Sequence, residues 1–239
     1  MMEQKKFGVS GSTLKIMALL IMLIDHIGAV IVVRIMSAPG FDHDFWSSLY
    51  WPLRNVGRLA FPIFCFLLVE GFLHTSNRKK YLGRLLLFAL ISEIPFDLAL
   101  TGNVVDFWFQ NVFWELSVGI IGMMIMESIN ESKFSYVLQT VLRLMAIAVL
   151  AIGAEALQLD YGMNGIISII GMYVFCKNRL IQLLIGAISF CWEPVAPMAF
   201  FLLALYNGKR GRSIKYAFYI FYPTHLLILY IIACVIGCL

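Results

Sequence analysis

Long apolar runs separated by short polar breaks organise this chain. The first, "LKIMALLIMLIDHIGAVIVV" from Leu14 to Val33, is interrupted only by Lys15, Asp25 and His26. Runs near 20 residues have the length an α-helix needs to cross a hydrocarbon core of about 30 Å. Nine such segments follow one another, at 14–33, 57–75, 81–100, 108–128, 135–157, 161–176, 179–193, 195–207 and 214–236. The sixth to eighth are short, which leaves room for one of them to be re-entrant. The pattern predicts an all-α, polytopic transmembrane helix bundle. Its connections are short, so residues 1–239 are expected to form a single integral-membrane domain.

The polar breaks predict orientation. Lys and Arg gather in every second connection: Lys5, Lys6 and Lys15; then Arg78, Lys79, Lys80 and Arg84 in "NRKKYLGR"; then Lys133; then Lys177 and Arg179; then Lys209, Arg210, Arg212 and Lys215. The alternate connections around "FDLALTGNVVDFW", "LQLDYG" and "CWEP" carry acids without Lys or Arg. By the positive-inside bias the N-terminus is cytoplasmic and the C-terminus outside, in a bacterial-type inner membrane. The first external connection breaks the rule with Arg34, Arg54 and Arg58. It is also the longest, and its Phe41, Phe45, Trp46, Tyr50 and Trp51 suit a membrane–water interface.

Composition excludes a soluble domain. The 239 residues are 61% hydrophobic and 13% charged, with a mean hydropathy of +0.87; soluble domains sit near 45–50% apolar and about 25% charged. The net charge of +4 is spread by topology, so a nucleic-acid partner is not expected. The first run has no small-residue cleavage site, so no cleavable signal peptide is expected. Cys65, Cys176, Cys191, Cys234 and Cys238 form no CxxC pair and are expected to be core thiols.

Within this apolar background the ionisable residues are conspicuous. A mid-bilayer charge costs about 2.5–3.5 kcal/mol on insertion scales, so such groups face the bundle interior or a wet cavity. At about 1.5 Å of rise per residue, His26, Glu93 and His225 fall near the midplane, with Asp97 one turn further out. Arg58 and Asp160 lie toward the outer face. Each has a structural alternative. His26 can serve as a satisfied core histidine, His225 in "FYPTHLLIL" can satisfy carbonyls freed by Pro223, and Glu93 and Asp97 can partner Arg58 or Arg143. No Walker loop, GxGxxG or HExxH is present. His26, Glu93 and His225 would ligate a metal only by coincidence of packing, so no metal is expected.

The strings "LKIMALLIMLIDHIG", "GRLAFPIFCFLLVEGFLHTSNRKKYLGRLLLFALISEIPFDLAL", "QNVFW", "DYGMNG", "YNGKRG" and "FYPTHLLILY" together resemble the TraX family of integral-membrane proteins. The family's namesake N-acetylates conjugative pilin, and the family is similar to a wider group of membrane acyltransferases. The resemblance implies a catalytic histidine at the end of the first span, which here is His26. It also implies a polar motif in the last span, which makes His225 a second candidate. Glu115 in "FWELSVG" has no place in that pattern.

The implied activity moves an acetyl or short acyl group from acyl-CoA, as co-substrate, to an amine or hydroxyl of a pilin-like peptide N-terminus or envelope glycan. An imidazole suits the proton transfer at neutral pH, and Asp25, Glu93 or Asp97 can orient it. Arg78, Lys79, Lys80, Arg84, Lys209 and Arg210 offer charge-assisted bonds to the coenzyme's phosphates. The acceptor is expected to enter past Arg58, Asp97 and Asp160. The competing expectation is a proton-coupled transporter of small solutes with His26, Glu93 and Asp97 as its relay. A membrane assembly scaffold would not need so many midplane acids and histidines.

Overall fold

The computed structural model describes residues 8–212 and 215–237, with only the backbone at Lys215; Lys5, Lys6 and Cys238 lie outside them. The described residues are helical, joined by turns, with two isolated β-bridges, Val9–Tyr206 and Gln110–Leu159. Five helical runs among them are long and apolar enough to cross a membrane: Gly11–Ser37, His43–His74, Val112–Glu131, Tyr136–Ala156 and Tyr216–Val235. The chain is accordingly an all-helical integral membrane protein. It forms two compact units, one from the chain up to Phe64 with Ile91–Asp106 and the chain from Cys191, the other from Cys65–Leu90 and Phe107–Phe190.

In the first unit, α1 (Gly11–His26) continues through a π-helical segment, Ile27–Val32, into α2 (Val33–Ser37). The expected interfacial connection is instead mostly helix. Asp42 caps α3 (His43–Gly57) by accepting from the backbone N–H groups of Asp44 and Phe45, as an N-cap aspartate should. α3 runs antiparallel to α1: Gly57 lies against Asp25, and Leu53 and Arg54 lie against Gly28. A Cβ at Gly57 would stand 2.0 Å from Asp25 Oδ1 and 2.3 Å from its Cβ. Only glycine permits that approach.

α4 (Ala60–His74) and α5 (Arg78–Leu100) follow, and both cross from one unit to the other along the chain. The expected span at 195–207 is a 3-10 turn, Ala196–Met198, and a six-residue α10 (Ala199–Ala204). Pro194 and Pro197 remove helix donors at its start. Six residues rise only about 9 Å.

The polar start of α1 is tied to the loop after α10. Val9 donates to Leu205 O, Gly11 to Lys209 O and Ser12 to Arg210 O, while Asn207 donates to Val9 O. α11 (Lys215–Val235) therefore begins on the same side as α1 and runs parallel to it. Lys15 Nζ lies 5.0 Å from the Phe218 ring centroid, and deeper in the unit the two helices bring His26 to His225.

In the second unit α6 (Val112–Glu131), α7 (Tyr136–Ala156) and α8 (Gly162–Val174) surround a core that includes Met126, Ala154, Ile166 and Ile170, and α9 (Arg179–Ser189) packs on α8, Ile185 against Gly171. At its polar end Arg179 Nη2 donates to Glu70 Oε1 at 3.0 Å and lies over the Phe66 ring. Arg78 pairs with Glu127 and lies over Phe72. Cys65 is buried, Cys176 half-buried, and Cys191 and Cys234 exposed. The expectation of core thiols therefore holds fully for Cys65 alone among the four described cysteines.

Candidate functional site

His26 is the last residue before the π-helical segment of the first span. π-Helical insertions recur at functional sites, because they redirect side chains without ending the helix. Its Nδ1 lies 2.6 Å from His225 Nε2. The two rings meet edge to edge along that bond, centroids 4.9 Å apart and planes 26° apart, and Tyr222 presents its ring to His26 at 6.0 Å, edge to face. His225 Nδ1 lies 2.8 Å from the Phe221 carbonyl oxygen, one turn back. The carbonyl that Pro223 leaves without its helical donor is that of Tyr219, so His225 bonds a different one. Both imidazoles are buried, at 9% and 5% exposure. Two polar side chains from parallel helices thus satisfy each other inside an apolar unit.

Asp25 faces elsewhere. Adjacent helical residues lie about 100° apart, and Asp25 uses that angle to receive Arg54 Nη1 on its Oδ2 at 2.6 Å. One turn further on, at the C-terminal cap of α3, Arg58 Nε approaches Glu193 Oε1 at 3.3 Å. Arg34, the third arginine of that region, donates to the carbonyls of Val30 and Leu98. Arg54 and Arg58, the exceptions to the expected charge pattern, each answer a carboxylate within the unit.

Asp97 is 1% exposed. Its Oδ2 accepts the Asp106 backbone N–H at 2.8 Å, and its carbonyl accepts from Thr101, so it organises the turn after α5. Glu93 stands one turn earlier on α5, half-buried. Arg58 approaches Glu193, and Arg143 donates to Gln139. Asp160 sits half-buried in the turn between α7 and α8, in the second unit.

The expected cofactor-binding cations divide. Arg78 is committed to Glu127 and Arg84 lies over Tyr81. Lys79 and Lys80 are exposed on the first turn of α5, as are Lys209 and Arg210 on the loop tied to α1.

Two features escape sequence reading. The half-buried Glu70–Arg179 pair joins residues far apart in the chain, and Arg179 reads only as a topology marker. Glu115 is fully buried, and a Cβ at Gly165 would lie 2.4 Å from its Oε1. Its legible signal is a lone acid in an apolar span opposite the glycines of "DYGMNG".

Comparison with known proteins decides the family. The model of the TraX protein family matches residues 10–233. This chain belongs to the TraX family. It is also 32% identical over 250 aligned positions to the probable fimbrial assembly protein FimC, serogroup H1, of Dichelobacter nodosus, covering 92% of this chain and 94% of that protein. No solved structure matches. The TraX match spans both histidines of the pair, although they lie 199 positions apart.

Proposed function

We propose that this TraX-family protein is a membrane acyltransferase. It takes an acetyl or short acyl group from acyl-CoA on the cytoplasmic side and transfers it to an amine or hydroxyl at the outer face. The acceptor is a pilin-like peptide N-terminus or an envelope glycan. The observation that carries this reading is the His26–His225 contact inside a unit built from the first and last spans. A buried imidazole with a second imidazole behind it can take a proton from the nucleophile and return it to the leaving thiolate. The family match and the fimbrial-assembly relative favour a pilin-like acceptor. The transporter reading asks His26 to exchange protons with Asp97, but Asp97 is bonded to its own turn.

In the proposed arrangement an odd number of segments crosses the inner membrane, with the N-terminus cytoplasmic and the C-terminus outside. The parallel course of α1 and α11 supports this, because it requires an odd number of crossings. The Lys209–Arg210 loop stands at the head of the helix that carries His26, about 22 Å of helical rise away. The first backbone N–H groups of α1 are already bonded to Ser10 and to that loop. Its cations therefore hold the coenzyme's phosphates while the acyl arm reaches inward to His26; Lys79 and Lys80, in the other unit, are a separate candidate for the same duty. Burial keeps water from the thioester.

The direct test supplies purified protein in lipid with acetyl-CoA and follows thiol release with and without a pilin-like peptide. Acceptor-dependent release that disappears in His26→Ala is expected. Equal release from the wild type and His26→Ala would remove the proposal.

A further inference from the structure

The hydrogen-bond chain around His26 fixes which nitrogen reacts. A carbonyl oxygen can only accept, so His225 Nδ1, 2.8 Å from Phe221 O, carries the hydrogen. In a neutral imidazole the other nitrogen is then an acceptor. His26 Nδ1, 2.6 Å from that acceptor, must be the donor. His26 Nε2 is left as the nitrogen with the free lone pair. We infer that His225 is a positioning residue that locks His26 in its Nδ1–H tautomer and makes Nε2 the base.

This inference rests on the acyltransferase reading for its chemical consequence. The acceptor's N–H or O–H gives its proton to His26 Nε2 as the bond from acceptor to acyl carbon forms. The positive charge that appears on His26 is shared along Nδ1–H to His225, and from His225 Nδ1–H to the Phe221 carbonyl. The acyl C–S bond then breaks, and the thiolate leaves with the electron pair and takes the proton from Nε2. Both rings return neutral and in their starting tautomers. Asp25 has no part in the relay, because its Oδ2 is held by Arg54 and its Oδ1 lies against Gly57.

The tautomer is measurable without activity. In the full-length protein, labelled with ¹⁵N at histidine and reconstituted in lipid, ring-nitrogen NMR at neutral pH should show His26 with Nδ1 protonated and Nε2 bare. The assignment comes from the signals lost in His26→Asn. In His225→Leu the His26 signals should spread over both tautomers and transfer should fall by roughly 10²-fold or more, the scale of a positioned general base. His225→Gln offers a side-chain carbonyl to His26 Nδ1–H and should recover transfer to within about tenfold of wild type. A wild-type His26 that carries its proton on Nε2 would overturn the inference, whatever the activity. So would a His225→Gln protein that inserts normally but is as inactive as His225→Leu. An Nδ1–H tautomer in a protein that never releases thiol from acyl-CoA would leave the lock standing and remove the acyltransferase reading instead.

Discussion

His26 and Asp25 are neighbours in sequence that face different helices, and their substitutions should fail differently. His26→Ala removes the base itself; kcat is expected to fall at least roughly 10²-fold while expression and acyl-CoA binding persist. Asp25→Asn breaks an ion pair whose side chains are 17% and 20% exposed. Its cost should lie between the roughly 1 kcal/mol of an exposed pair and the ~3–5 kcal/mol of a fully buried pair broken on one side. It should appear in thermal stability, with kcat of the folded fraction nearly unchanged. Arg54→Gln should behave alike, and the double variant should be more stable than the sum of the singles predicts. Additive losses in the stability cycle would show that the pair contributes nothing beyond its parts. The sequence made the Asp25–His26 dipeptide conspicuous and placed His26 at the depth of His225. It offered no means of choosing among partners, because Asp25 finds Arg54 29 positions away and His26 finds His225 199 positions away.

Helices legible from apolar run length alone came through closely: the expected 135–157 is Tyr136–Ala156 and the expected 14–33 is the core of Gly11–Ser37. α3 read as an external loop because it mixes charges, aromatics and Pro52, and has no continuous apolar run. What holds it as a helix is long-range: the Asp42 cap starts it, and its far end docks on α1 through Arg54 and the bare Cα of Gly57. That docking makes a paired prediction. Gly57→Ala would drive a methyl into the Asp25 side chain and push α3 off α1, at about 1–3 kcal/mol, the cost of overpacking. Gly83→Ala on α5 meets nothing within 4 Å and should be neutral or stabilise by up to about 1 kcal/mol, as alanine does in an open helical position. Comparing the two by thermal unfolding in the same detergent removes effects common to any added methyl. Equal stabilities would mean that α3 does not pack on α1 this closely.

For the whole molecule, charge and topology stand or fall together. Arg78 is held by Glu127, so a test of phosphate binding should spare it. Lys79→Gln with Lys80→Gln, and separately Lys209→Gln with Arg210→Gln, should raise the acyl-CoA KM without lowering kcat. Wild-type binding should weaken with salt, because exposed cations are screened within about 8 Å at physiological ionic strength. An unchanged KM in both double variants would return these residues to a purely topological duty. That assignment presupposes that both basic segments face the cytoplasm. The bonds from Val9, Gly11 and Ser12 to the 205–210 loop put the start of α1 and that loop on one side. The positive-inside bias predicts that this side is cytoplasmic. The turn after α5, which Asp97 organises, should be outside, since α5 starts from a basic end and rises about 33 Å along its length. Single cysteines placed at 79 and at 210 should therefore react with an impermeant thiol reagent only once the inner membrane is opened, and one at 103 should react in intact cells. These variants need a background in which the native exposed thiols Cys191 and Cys234 are replaced. Reaction at 210 but not at 79 in intact cells would break the parity of the intervening spans and move the Lys209–Arg210 loop away from any cytosolic coenzyme. Reaction at both would invert the protein, and the acyl donor would have to be sought outside.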